Sequence, residues 1–277
     1  MTITEWLRDA TNELADAMLP SPRLDAEIIL AHTLRKPRTY LHAHSDDELS
    51  PRNEDIANAR IDLRMDRVPV AYIIGHKEFY GRRFQVNPNV LIPRPESEQL
   101  ITMLKQLLPA TAALAGIAPK RLVDIGTGSG CLGITAKLEF PELEIALTDT
   151  SRHALTVAKK NASLLNAEVE TFVSDLLFDY PYSPDIVVAN LPYVDKSWDF
   201  LSPELANEPD EALYADDNGL AIIKRCIEQV AARAKPDTLL LLEADTRQLD
   251  AIVSYAREYK FKERLRDEFA VALSLAN

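Results

Sequence analysis

The run Asp124-Ile125-Gly126-Thr127-Gly128-Ser129-Gly130 directly follows an apolar stretch and opens a helical one. Glycines at these positions let the backbone turn tightly and approach a ligand closely, and the N-terminus of the following helix offers unpaired N–H groups to a carboxylate or phosphate. The run therefore suits a nucleotide-like ligand, and it equally suits a tight structural turn. The next strand-like segment ends at Asp149, where a carboxylate would reach the two ribose hydroxyls of a bound nucleoside. That spacing fits a dinucleotide and S-adenosylmethionine alike. A third segment ends in Ser174-Asp175-Leu176, placing another carboxylate where it could accept from an adenine amino group. A fourth, Asp185–Ala189, runs into Asn190-Leu191-Pro192-Tyr193. An asparagine carboxamide carries an acceptor and two donors. With a neighbouring backbone carbonyl it can grip a planar amide or amino nitrogen and aim its lone pair, so that orientation and electrostatics replace a strong base. Tyr193 would wall the planar group. The plainer alternative is that Asn190 starts a turn before Pro192.

These groups converge only if a fold brings the segment ends together. From Arg121 onward the order is strand, turn, helix, strand: Arg121–Ile125, Cys131–Glu139, Glu144–Thr148, Arg152–Leu165, Val169–Val173, Asp185–Ala189. This alternation predicts an α/β fold, a Rossmann-like parallel sheet with helices on both faces, whose strands present their carboxyl ends to one crevice. A helix over Gly219–Ala234, an apolar run Thr238–Leu242, a helix near Thr246–Tyr259 and two strand-like runs complete the chain. From Thr4 to about Val70 apolar residues recur at helical spacing, in Trp6, Leu7, Leu14, Ala15 and Met18, then in Leu24, Ile28, Leu30, Ala31 and Leu34. Ser50-Pro51 reads as a helix start. Between Val70 and Leu91, Ala71–Gly75 and Phe79–Val86 read as extended, with Gly81 as a hairpin turn; Glu96–Leu108 reads as a helix and Thr111–Pro119 as a loop or frayed end. Three parts follow: a helical domain over 1–70, a β-hairpin connector over 71–92 and an α/β domain over 93–277.

A length of 277 residues suits one small and one large domain, and 47% hydrophobic with 27% charged residues suits a globular protein. The net charge of −12 opposes stable nucleic-acid binding, which needs many Lys and Arg contacts to phosphates. No run approaches the ~20 apolar residues of a membrane span, and the first residues carry Glu5, Asp9, Glu13 and Asp16 rather than a signal core, so a cytoplasmic protein without membrane partners is expected. Cys131 and Cys226 lack neighbours at metal-ligand spacing, His42 and His44 form an isolated pair, and Glu204, Glu208, Asp210, Glu211, Asp216 and Asp217 read as a solvated face; no metal is expected.

Taken together, Asp124–Gly130, Asp149, Asp175 and Asn190–Tyr193 resemble the class I S-adenosylmethionine-dependent methyltransferases that modify planar nitrogens, whose signature is (Asn/Asp)-Pro-Pro-Tyr. Leu91-Ile92-Pro93-Arg94-Pro95-Glu96-Ser97-Glu98, Glu208–Leu213, Asn218-Gly219-Leu220, Leu24–Glu27 and Pro69–Gly75 narrow the likeness to the release-factor glutamine methyltransferases, the HemK/PrmC family, over about Leu24–Glu243. The resemblance implies that Gly126, Thr127, Gly128, Ser129, Gly130, Asp149, Asp175, Leu176 and Asn190 bind S-adenosylmethionine, with S-adenosylhomocysteine as product. It implies that Asn190, Leu191, Pro192 and Tyr193 hold a glutamine amide, that residues 1–70 recognise the substrate, and that the partner is the Gly-Gly-Gln loop of a peptide-chain release factor. A monomer is expected. The chain departs from the family at Leu191, where proline is usual, and at its C-terminal end, which lacks the Gly-Arg ending. The rival functions are methylation of adenine N6 or guanine N2 on a nucleic acid, and a catalytically idle release-factor-binding homologue.

Overall fold

The computed structural model describes residues 1–108, 120–199 and 201–276, so the expected loop at Thr111–Pro119 lies outside the described residues. The chain forms two compact units: Met1–His76 together with Ser202–Asn207, and Lys77–Leu201 together with Glu208–Asn277. None of the described helices is long and apolar enough to cross a membrane.

The first unit is helical: α1 (Ile3–Asp16), α2 (Pro22–Leu34), α3 (Arg38–Ala43), α4 (Pro51–Met65) and α5 (Val70–Ile74). α1 starts at a capping box, in which Thr2 and Glu5 satisfy each other's backbone N–H groups. It then buries Ile3, Trp6, Leu7, Ala10 and Leu14, the three- and four-residue spacing of one helix face. On α2 the buried face is Asp25, Ala26, Glu27, Ile29, Leu30 and Ala31, so Leu30 and Ala31 are inside as expected, whereas Leu24 is exposed. Apolar periodicity misjudged that face because its acids are buried as ion pairs. Glu27 meets Arg23 and Arg38, and Asp25 meets Arg64 of α4, which is 2% exposed and also holds Glu204. The expected extended stretch at Ala71–Gly75 is instead α5, stopped by Gly75 in the left-handed region; the five residues between Pro69 and that glycine suffice for one helical turn.

In the second unit, β1 (His76–Phe79) and β2 (Arg82–Gln85) form the hairpin, with Tyr80 at φ 50° and Gly81 at φ 69°, the positive-φ pair that two-residue hairpin turns favour. Phe79 and Phe84 pack edge to face at 6.1 Å in a core shared with α6 (Glu98–Leu107). The main sheet contains β3 (Arg121–Ile125), β4 (Glu144–Asp149), β5 (Glu170–Val173), β6 (Ile186–Ala189), β7 (Leu239–Glu243), β8 (Phe261–Arg266) and β9 (Ala270–Leu275), in the order β5-β4-β3-β6-β7-β9-β8. β5, β4, β3, β6 and β7 are parallel, but β9 runs antiparallel to both β7 and β8. The parallel expectation, made for the strands up to Ala189, holds; the two terminal strand-like runs carried no direction, and the short turn at Asp267–Phe269 that joins β8 to β9 permits only antiparallel pairing between them. Helices α7 (Cys131–Glu139) and α8 (Arg152–Leu164) pack with α6 in one core cluster; after the short α9 (Asp210–Leu213), α10 (Ala221–Arg233) and α11 (Leu249–Glu258) pack in the other.

In the helical unit, Arg64→Met removes the partner of the buried Asp25. An uncompensated buried charge should destabilise by about 3 kcal/mol, measured by urea denaturation; a loss below about 1 kcal/mol would mean that Asp25 finds water or another donor.

Candidate functional site

Register brings the chemistry together. Ile125 stands opposite Thr148 on one side and Ala189 on the other, and Ala189 opposite Leu242, so Gly126, Asp149, Asn190 and Glu243 emerge at one edge of the sheet. The order reverses at β3, flanked by β4 and β6, and the ends of its two neighbours part around a crevice. A cavity of about 360 Å³ fills it.

The floor is the glycine loop. Gly126 has φ 66°, and a Cβ there would come 3.1 Å from Leu191 Cδ2; Gly130, at φ 83°, would place one 2.6 Å from Ile134 Cδ1. Beneath the loop, Asp124 Oδ2 accepts from Thr127 Oγ1 at 2.6 Å and from Gly133 N at 2.8 Å, tying the strand end to the first turn of α7. Burial pushes the Asp124 carboxyl up to about 7 against those two hydrogen bonds. Asp149 accepts from Gly128 N (2.9 Å) and Ser151 N (2.8 Å), and burial raises it as well. Asn161, fully buried on α8, accepts from Gln85 N and donates to Gln85 O and Ser129 O, joining the hairpin to the loop.

One wall is Ser174-Asp175-Leu176. Leu176 sits at φ 56°, a left-handed conformation that costs about 1 kcal/mol and is held by burial of its side chain in the core. Asp175 is ion-paired with Arg225, and both line the cavity. The opposite wall includes Leu91, Pro93, Arg94 and Ser97. Here the solvated-face reading is corrected: Glu208 is 5% exposed, accepts from Ile92 N at 3.0 Å and pairs with Arg94 at 2.5 Å. It pins the loop whose Pro209, Glu211, Ala212 and Tyr214 also face the cavity. Glu204 is likewise paired, with Arg64, whereas Asp210, Glu211, Asp216 and Asp217 are exposed as expected. Arg94 thus both pairs locally and lines the site.

Asn190, Leu191 and Pro192 line the cavity beside the loop. The Asn190 Nδ2 donates to Ser97 Oγ and to Glu243 Oε1, each at 2.9 Å. Leu191 is buried against Gly126; such burial contributes about 2 kcal/mol, more than the ~1 kcal/mol that a proline gains through restricting the unfolded chain. Tyr193 stands behind the cavity rather than in its wall: its phenol donates to Glu243 Oε1 at 3.3 Å, and its carbonyl accepts from Gln248 Nε2 at 2.8 Å. Gln248 also holds Asn218 O, and Gly219 lies so close to Tyr193 that a Cβ would fall 1.9 Å from its carbonyl oxygen.

Glu243 and Gln248 escaped the sequence reading as site residues, and Ser97 entered it only within the Leu91–Glu98 run, without a role. Glu243 carried a usable signal: it is the lone acid closing the apolar Thr238–Leu242 strand, next to the strand that ends at Asn190. It is 1% exposed, and burial pushes its carboxyl up to about 7, opposed by the nearby Ser97 and Tyr193 hydroxyls; Glu96 and Arg94 are the nearby charges and act in opposite senses. Its Oε2 has no partner among the described residues.

A carboxyl that keeps its proton to about 7 when folded, and loses it near 4.5 when unfolded, stabilises the fold at low pH and loses that contribution as pH rises between those values. Glu243→Leu should therefore gain on the wild type by on the order of 1 kcal/mol per pH unit between about pH 5 and pH 7. Paired urea titrations check it; a stability difference independent of pH would show that Glu243 ionises normally.

Comparison with known proteins accords with this geometry. The PrmC N-terminal domain family matches residues 5–75, and the methyltransferase small domain family matches 101–223. A release factor glutamine methyltransferase of Koribacter versatilis is 36% identical over 263 residues, 94% of this chain and 92% of that protein. One of Deinococcus radiodurans is 32% identical over 97% of this chain and 95% of that protein. Among solved structures, the T. thermophilus 16S rRNA N2 G1207 methyltransferase, in complex with AdoMet and guanosine, has a TM-score of 0.53 at 16% identity, covering 73% of this chain and 50% of that one. A Pyrococcus furiosus methyltransferase has a TM-score of 0.52 at 15% identity, covering 76% and 96%. These two structures share the fold, while identity above 30% along nearly the whole length of the curated relatives decides the kinship: the chain belongs to the release factor glutamine methyltransferase family.

Proposed function

We propose that this protein transfers the methyl group of S-adenosylmethionine to the side-chain nitrogen of a glutamine in the Gly-Gly-Gln loop of a peptide-chain release factor, giving N5-methylglutamine, S-adenosylhomocysteine and a proton released from that nitrogen. The observation that carries this reading is that Asn190, Leu191 and Pro192 line the same cavity as the glycine loop, so a planar amide and a nucleoside-bearing methyl donor would meet there. Relatives named for this activity, in Koribacter versatilis and Deinococcus radiodurans, support it.

The residues fit the cofactor. Asp124 and Asp149, carboxylates whose burial disfavours their charge, line the cavity, a setting that favours a cationic ligand. The loop Gly126–Gly130 leads into the N-terminus of α7, whose N–H groups would meet its carboxylate; Asp149 would take the ribose, and Ser174, Asp175 and Leu176 the adenine. Bound there, the cofactor supplies an electrophilic methyl group. The protein's part is orientation: Asn190 Oδ1 and the Leu191 carbonyl accept the two N–H bonds of the glutamine amide, holding its nitrogen in line and drawing electron density onto it. The helical segment 1–70 serves in this reading as the recognition domain for the release factor, and the domain over 93–277 as the catalytic one.

Incubation of a purified release factor with this protein and S-adenosylmethionine should add one methyl group, located by peptide mass spectrometry on the Gly-Gly-Gln glutamine. Asn190→Ala should abolish the transfer while calorimetry still detects cofactor binding; near-normal single-turnover rates in that variant would overturn Asn190's role. Asp149→Ala should instead weaken cofactor binding by on the order of tenfold or more, and unchanged affinity would remove Asp149 from the cofactor site.

A further inference from the structure

An asparagine carboxamide has an oxygen and a nitrogen of nearly equal size at the two ends of its fork, so packing alone cannot choose which end faces a ligand; hydrogen-bond partners must. The choice matters at Asn190. A glutamine amide nitrogen brings two N–H donors into the site, and Asn190 presenting Nδ2 would set donor against donor. Both N–H groups of Asn190 are engaged elsewhere, by Ser97 Oγ and by Glu243 Oε1, each at 2.9 Å. Only Oδ1 is left for the cavity that Asn190 lines.

We propose that Glu243 and Ser97 are positioning residues that lock the Asn190 carboxamide in the orientation presenting Oδ1 to the substrate amide, an inference that rests on the glutamine-methylating reading of the site. Neither residue needs to touch substrate. Glu243 lies almost wholly buried behind Asn190 at the carboxyl end of β7, whose other residues, Leu239–Leu242, are all leucine. A fifth leucine would suit that environment better than a carboxyl group whose Oε2 has no hydrogen-bond partner among the described residues. Burial raises its affinity for a proton, which is the cost of placing it there. A group retained against its surroundings at a functional site points to a task, and accepting from Asn190 is the contact that explains it. The same contact gives purpose to the segment Leu91–Glu98. The short helical turn at Pro95–Ser97 leads into α6 and sets the Ser97 hydroxyl opposite Glu243, with Asn190 between them.

The test compares wild type with Glu243→Leu, Glu243→Gln and Ser97→Ala, using a purified release factor as substrate. Glu243→Leu should lower kcat by about 100-fold, the scale of losing a fixed geometry. Its KM for the release factor and its Kd for S-adenosylmethionine should change by less than about threefold, and its Tm should stay within a few degrees of the wild type, since relief of a buried acid offsets the acceptor that Asn190 and Tyr193 lose. Glu243→Gln, which keeps an acceptor oxygen, should retain kcat to within about tenfold, and Ser97→Ala should lower it with the same kcat-only signature. A Glu243→Leu variant with wild-type kcat, or one whose loss of rate is matched by loss of cofactor affinity or of Tm, would overturn the proposal.

A second measurement needs no substrate. In ¹⁵N-labelled protein, the two side-chain N–H signals of Asn190, identified by their absence from Asn190→Ala, should exchange slowly with solvent in the wild type. One should become fast in Glu243→Leu and one in Ser97→Ala; unchanged protection in both would refute the clamp. Should the wild type leave the release factor unmethylated, the reading of its substrate fails, and this exchange experiment still decides the clamp.

Discussion

Parallel pairing of β3 with β4 on one side and with β6 on the other is the constraint from which the rest of the site follows. Because Ile125 is level with both Thr148 and Ala189, and Ala189 with Leu242, strands far apart in the chain end on one line, and whatever follows each strand enters the same crevice. The interior residues of these strands are buried on both faces, so a slip of register would move every one of them out of its packing. The site inherits its geometry from this core. Loops between the strands can vary their contents without disturbing where they start.

Upon that frame the ligand-facing residues are held by polar contacts made below or behind them. Asp124 braces the glycine loop from underneath, Asp149 from the side, and Asn161 reaches across to it from α8. Glu243, Ser97 and Gln248 do the same for the Asn190–Tyr193 tetrad. Asp124 and Glu243 are each buried enough for their affinity for protons to rise to about 7. Such groups disfavour folding when charged, and their cost is offset by the large sheet core around them. Leu191, where the family usually has proline, adds apolar contact over Gly126.

The segment that follows the tetrad divides between the two units. Ser202–Asn207 is part of the helical unit, where Glu204 pairs with Arg64 and Asn207 donates to the Arg67 carbonyl. Its neighbour Glu208 holds Ile92 and Arg94 at the cavity wall. Acids that look like a solvated run are thus divided by function within a few residues, and hydrogen bonding to specific arginines is what divides them.

The α/β rhythm, the glycine turn, the acids at the strand ends and the tetrad were legible in the order of residues. Each depends on local chemistry: alternation of periodicity, glycine's access to positive φ, and the donors and acceptors of a carboxamide. The kinship inferred from those motifs agrees with the relatives found over nearly the whole chain. Other features were set by partners distant in sequence. The buried face of α2 depends on Arg64 and the burial of Glu208 on Arg94. Glu243 is the plainest case. A lone acid at the end of a leucine run has no evident role until β7 is placed beside β6, because a hydrogen bond to Asn190 requires two residues far apart in the chain to come within 2.9 Å. Sequence by itself determined which chemical groups are present and which strand end each follows; only the tertiary structure decided which of them meet, since that depends on strand order and register.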